Sequence, residues 1–171
     1  YVIGGSEGTQ ASSTVISAPM LPDGSLGAWQ GESPLPVPVS GHAATVVNGY
    51  FYVIGAVNSG CSPSRDAYYT KLCPSGLCDP LTGSTQNPWR PTSQLPMGMA
   101  NFEAVYSNGA LYAAGGGNWN CGPPSDKVYR AAIIPETGAL DAWQEQAPLP
   151  KPIAYHQLFA VGGKLFTAGG F

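Results

Sequence analysis

Apolar and polar positions alternate in short paired bursts along this chain. Ala43-Ala-Thr-Val-Val47 and Tyr50-Phe-Tyr-Val-Ile54 flank Asn48-Gly49, a dipeptide suited to a two-residue type I′ turn because both residues tolerate positive φ. Asn108-Gly109 and Gly162-Gly163 sit at the same place in two later bursts. The pattern predicts hairpins, with strands near 1–4, 43–48, 50–55, 103–107, 111–115, 157–161 and 165–169. No segment long enough for a helix carries a 3.6-residue apolar period.

The hairpins repeat. Tyr1-Val-Ile-Gly-Gly5, Tyr52-Val-Ile-Gly-Ala56, Tyr112-Ala-Ala-Gly-Gly116 and Phe166-Thr-Ala-Gly-Gly170 begin 51, 60 and 54 residues apart. Trp29, Trp89 and Trp143 keep the same step of 60 and 54, and so do Leu35-Pro36, Leu95-Pro96 and Leu149-Pro150. A fixed period of this size is the mark of a repeat architecture. Each period reads as four strands, A to D. A and B form the hairpin and the Gly pair closes B. C lies near Val15-Ile-Ser17, Ala67-Tyr-Tyr-Thr70 and Val128-Tyr-Arg-Ala-Ala-Ile-Ile134. D carries the Trp, and the Leu-Pro behind it removes a backbone donor and stops pairing.

Four antiparallel strands in about 50 residues describe one blade of a β-propeller, and the motifs quoted resemble the kelch family over the whole chain. Asp23-Gly-Ser-Leu-Gly-Ala-Trp29 and Glu136-Thr-Gly-Ala-Leu-Asp-Ala-Trp143 look like the C–D turns of secreted bacterial kelch proteins. The departures are Ala56 for the second Gly and Phe166 for Tyr. The expected fold is all-β, a segment of about three and a quarter blades divided at 1–36, 37–96, 97–150 and 151–171. The three Trp should be buried between blades.

Closed propellers have about 4–8 blades. Strand B stands at both ends of this segment, so joining the ends, within one chain or between two, brings a redundant strand to the seam. The expectation is a piece of a longer chain cut at both ends; the alternative is a short protein completed by partner subunits. The fold itself leaves function open among enzymes, adaptors and lectin-like binders.

Charged residues are 10% of the chain, against roughly 25% in ordinary domains, and the net charge is −3. No basic stripe suggests nucleic acid, and no apolar run approaches a membrane span of roughly 18 residues. Four cysteines allow three pairings. Cys61 and Cys121 fall in the B–C loops of neighbouring blades, whereas Cys73 and Cys78 end strand C, on the opposite face. A disulfide spans only about 4.4–6.8 Å between Cα atoms, so the separation favours Cys61–Cys121 and Cys73–Cys78. A zinc site is disfavoured by the same separation, and no His stands at ligand spacing. Paired cysteines imply an oxidising compartment: extracellular, cell-surface or periplasmic.

Catalysis finds little support. His42 and His156 open strand A where the middle copy has Phe102, which reads as packing. Glu103 lies on strand A beside Ala43 and Gln157 of the other copies and so lines the central channel. A kelch-type carbohydrate oxidase or sugar isomerase is therefore the third reading, and no cofactor or metal is expected. Binding fits better. The B–C and D–A loops share one face and differ most between copies. Trp119 between Asn118 and Asn120 could stack on a sugar ring with amide support, or cover the nearby disulfide. Met97, Met99, Lys151 and Tyr155 add a mixed surface suited to a protein; Arg65 joins that face, or simply pairs with Asp66. The first reading is a non-enzymatic binder of a glycan or protein. The second is a structural subunit of a larger extracellular assembly, bound to further copies or to the remaining blades.

Overall fold

The computed structural model describes residues 1–58, 62–117 and 123–171. Among the described residues every regular element is a strand. The first sheet holds β1 (Val2–Ile3), β4 (Val15–Ser17) and β5 (Gln30–Gly31), with a small hairpin of β2 (Ser6–Glu7) and β3 (Gln10–Ala11) in its B–C loop. The second holds β6 (Ala43–Val47), β7 (Tyr50–Asn58), β8 (Ser62–Cys73), β9 (Gly76–Cys78) and β10 (Arg90–Pro91). The third holds β11 (Glu103–Ser107), β12 (Ala110–Ala114), β13 (Val128–Ala132) and β14 (Gln144–Glu145), and the last β15 (His156–Val161) and β16 (Lys164–Gly169). Each sheet is antiparallel and follows chain order from the inner strand outward. The blades expected from the repeat are thus the observed sheets.

The turns follow the sequence chemistry. Asn48-Gly49 and Asn108-Gly109 take φ of 50° and 80°, and 48° and 77°, the pair of positive values a type I′ turn needs. The one departure from the Gly pair has a visible consequence. Gly4-Gly5, Gly115-Gly116 and Gly169-Gly170 all have positive φ, but in the second blade only Gly55 does. Ala56 keeps an extended backbone, the register shifts between Ile54 and Ala56, and pairing continues through Asn58↔Ser62. A Cβ in the left-handed region is costly, so the Ala lengthens this hairpin where the other copies turn away. The insertion between Cys73 and Cys78 also departs from a plain loop. It folds back as β9 on β8, closed by the Cys73–Cys78 disulfide.

Packing explains why strand B is apolar without alternation. Successive side chains point to opposite faces, and both faces of β7 are covered. Phe51 and Val53 pack with Val15, Leu35, Leu77 and Trp89 toward the first blade. Tyr52 and Ile54 pack with Leu111, Tyr129, Leu140 and Trp143 toward the third. The Trp of each blade also donates its indole N–H to the preceding blade: Trp89 to the Ser33 carbonyl at 3.2 Å and Trp143 to the Ser93 carbonyl at 2.9 Å. Trp89 and Trp143 are buried, but Trp29 is 50% exposed, which corrects the expectation for it. Trp89 and Trp143 are covered by the blade before their own, and none of the described residues stands in that place for Trp29.

Candidate functional site

The inner strands start from a repeated tripeptide: Gly41-His42-Ala43, Asn101-Phe102-Glu103 and Tyr155-His156-Gln157. Their first residues have φ of 59°, 54° and 54°. They are linked blade to blade by backbone hydrogen bonds, Asn101 N–H to the Gly41 carbonyl at 2.7 Å and Tyr155 N–H to the Asn101 carbonyl at 2.9 Å. The middle residues rest on the glycine that ends strand B of the preceding blade. A Cβ on Gly4 would lie 3.0 Å from His42 Cε1, on Gly55 2.6 Å from Phe102 Cε1, and on Gly115 2.6 Å from His156 Cε1. Glycine is needed there because the ring occupies the side-chain space.

Of the third residues, Glu103 and Gln157 line the channel cavity, whereas Ala43 is buried in the core. Gln157 Nε2 donates to Glu103 Oε1 at 3.3 Å across two blades. Burial raises the Glu103 carboxyl above its ordinary value, and the Gln157 hydrogen bond only partly offsets this. The cavity between these tripeptides is about 280 Å³. Burial also lowers the pKa values of His42 and His156. His156 is 2% exposed, and neither ring nitrogen meets a partner among the described residues. Nor do three His, Cys, Asp or Glu side chains converge there to hold a metal ion.

A larger and more apolar groove, about 440 Å³, opens between the second and third blades on the face of the B–C and D–A loops. Met97 and Met99 line it with Pro63, Pro124 and the Gly115–Gly117 backbone, and Ser125, Asp126 and Lys127 form a polar rim. Met97 is 42% exposed and available to a partner; Met99 is buried, and its carbonyl accepts from Ala56 N–H. Lys127 is tied to Glu145 in an exposed ion pair.

The expected site residues separate into three groups. Met97 and Met99 meet in this groove. Tyr155 and Glu103 belong to the channel mouth instead, Tyr155 stacked on Phe171 with ring centroids 5.3 Å apart. Arg65 and Asp66 do not pair. Arg65 Nε donates to the Leu95 carbonyl at 2.7 Å, and Asp66 accepts from Ser64 Oγ and Gln94 Nε2. Asn118, Trp119, Asn120, Cys61 and Cys121 lie outside the described residues. The groove prolines were not singled out from the sequence, although a signal exists. Cys61-Ser-Pro63 and Cys121-Gly-Pro-Pro124 repeat a Cys-x-Pro pattern in the two B–C loops that frame it.

No family model matches the sequence. The chain is 29% identical over 153 residues to the human Kelch repeat and BTB domain-containing protein 12, covering 84% of this chain and 23% of that protein. It is 28% identical over 152 residues to Kelch-like protein 15 of Danio rerio, covering 83% and 24%. With Kelch repeat and BTB domain-containing protein 1 of horsepox virus it shares 24% over 142 residues, covering 83% and 22%. It therefore spans about a quarter of the length of these relatives. Among solved structures, one titled "Structure of YjhT" superposes with a TM-score of 0.64 at 15% identity, over 83% of this chain and 42% of that one. The fold, the blade-to-blade contacts and these likenesses together show a kelch-type β-propeller segment, similar over most of its length to kelch-repeat proteins.

Proposed function

We propose that this segment is a non-enzymatic binding module. It engages a protein partner through the apolar groove between its second and third blades. The observation that carries this reading is the groove itself: about 440 Å³, floored by Met97, Met99 and backbone glycines, walled by prolines and rimmed by Ser125, Asp126 and Lys127. An apolar floor with a few polar groups at the mouth is the usual composition of a recognition site. Its glycines and prolines have almost no side-chain rotamer freedom to lose, so filling the groove costs little side-chain entropy there. Methionine adapts to different apolar side chains. A glycan would need convergent polar groups and an aromatic platform, and the described groove residues offer no aromatic. The kelch-repeat relatives favour a protein ligand as well.

The Cys73–Cys78 disulfide supports an oxidising location, at the cell surface, outside the cell or in the periplasm. Glu103 keeps an enzymatic reading in view, since it is a half-buried acid with a raised pKa at the channel mouth.

A displayed peptide library and a glycan panel, each screened against the wild type and Met97→Asp, test the assignment. Peptide ligands selected by the wild type should lose at least tenfold in affinity to the variant, with the melting temperature unchanged. Glycan binding untouched by Met97→Asp, with no peptide selected, would move the site away from the groove.

A further inference from the structure

A second cavity lies between the first and second blades and shares no residue with the groove of Met97 and Met99. It measures about 760 Å³ and is walled by residues 33–36, which follow β5, and 85–89, which lead into β10. That size is within the roughly 300–1,000 Å³ of small-molecule sites. Comparison of the blades explains why it is open. Three residues before its Trp the third blade carries Leu140, which is buried in the core that Trp143 shares with the second blade. The second blade has Gln86 at that place, and Gln86 is exposed. The apolar side chain for this interface comes instead from the Cys73–Cys78 hairpin, whose Leu77 is buried with Leu35 and Trp89. With Leu77 in the core and Gln86 outside it, the space lined by Leu35 and Trp89 stays unfilled.

We propose that this cavity binds a short neutral oligosaccharide. The C–H faces of the sugar rest on Pro34, Pro36 and the edge of Trp89, and its hydroxyls exchange hydrogen bonds with Thr85, Gln86 and Asn87. Leu35, Pro88 and Trp89 are buried and make an apolar floor; Thr85, Gln86 and Asn87 are exposed along one wall and the two prolines along the other. A molecule that is apolar on its ring faces and polar at its rim matches that division.

The site is preformed and its polar groups are free. Trp89 donates its indole N–H to the Ser33 carbonyl at 3.2 Å, and Ser33 Oγ donates to the Thr85 carbonyl at 3.3 Å, so the two walls are tied together. The side-chain amides of Gln86 and Asn87 have no hydrogen-bond partner among the described residues, and each offers both donors and an acceptor. Asn87 has a φ of 50°, although it stands before a proline, where extended backbone is favoured. The other non-glycine residues at positive φ, Asn48, Asn101, Asn108 and Tyr155, serve the A–B turns and the starts of strand A. A conformation held against local preference outside those turns is a mark of a binding site. Charge and backbone narrow the ligand further. None of the lining residues is charged, and the adjoining charges are engaged: Glu32 accepts from Ser17 Oγ at 2.6 Å, and Arg90 pairs with Asp79 at 2.7 Å. An ionic ligand finds no counter-charge. A peptide strand finds few backbone partners, because Pro34, Pro36 and Pro88 lack an N–H and the Ser33 and Thr85 carbonyls are already taken.

Calorimetric titration with a panel of neutral oligosaccharides of glucose, galactose, mannose and N-acetylglucosamine, run beside a set of proline-rich peptides, tests the site. At least one sugar should bind, and raising the salt from about 50 mM to about 500 mM should leave its affinity unchanged, because no ion pair forms. Gln86→Leu and Asn87→Asp give the second blade the residues that the third carries, Leu140 and Asp141. Each should weaken sugar binding at least tenfold with the melting temperature held. A panel without a binder overturns the proposal, as does a sugar affinity that both variants keep. Peptide binding that Gln86→Leu abolishes, with no sugar bound, also overturns it and makes the cavity a protein contact.

Discussion

The indole N–H of Trp143 lies 2.9 Å from the carbonyl oxygen of Ser93, in the blade before its own. One side chain thus fills an inter-blade core and satisfies a backbone acceptor. Trp143→Ala should cost roughly 3–5 kcal/mol, the usual range for emptying a buried Trp site. Trp143→Phe keeps most of the volume and strands the carbonyl, so it should cost roughly 1–3 kcal/mol. Urea denaturation of the two variants separates packing from hydrogen bonding. A loss near zero for Trp143→Phe would show that the hydrogen bond contributes nothing.

Gly115→Ala tests the packing of one blade on the next. The added Cβ would stand 2.6 Å from both His156 Cε1 and the Ile153 carbonyl oxygen, at a φ of 68°. Gly49→Ala is the matched control, since its φ is 80° and its Cβ position is open. The control should lose only the strain of a side chain at positive φ, about 1–3 kcal/mol. Gly115→Ala should lose clearly more, and thermal melts of the pair read the crowding as the difference.

His156→Phe should stabilise the protein. Phe102 shows that a phenyl ring fits the equivalent site, and His156 buries two ring nitrogens without a described partner. Burial depresses the folded-state pKa of His156 below the ordinary 6.5. Its neutral form therefore supports the fold above that value, and this support is lost as pH falls through the folded-state pKa. The gain from Phe should widen from pH 8 to pH 5 in melting experiments. A gain independent of pH would mean that folding leaves the pKa of His156 unchanged.

Asp79 anchors the turn after the Cys73–Cys78 hairpin. Burial opposes its ionisation, but the Arg90 guanidinium at 2.7 Å and the Leu81 and Thr82 amides outweigh burial and hold the carboxyl at about 2. Its contribution to stability is intact above the unfolded-chain value of about 3.9 and is lost as pH falls through about 2. Asp79→Asn should therefore lower the melting temperature at pH 7, and the gap to wild type should close between about pH 4 and pH 2.

The repeat, the strand hairpins and the turn chemistry are readable from the order of residues alone. These are local matters: Asn48-Gly49 prescribes its own backbone, and an apolar burst on each side of it leaves few alternatives. That order also marks the glycine pairs and the Trp as fixtures of the fold, because their spacing is the spacing of the blades. Which face each fixture meets depends on how one blade packs against the next. Trp29 carries the same motif as Trp143 yet is exposed, since burial depends on the blade beside it and not on the residue. Met97 and Met99 were legible as loop residues, but the groove they line also brings together Pro63 and Pro124, which are distant in sequence. Tyr155 lies at the channel mouth beside Glu103 and not in the groove with Met97 and Met99, a grouping set by contacts between blades. Local sequence sets the conformation of each strand; the contact between one blade and the next sets what that strand can bind.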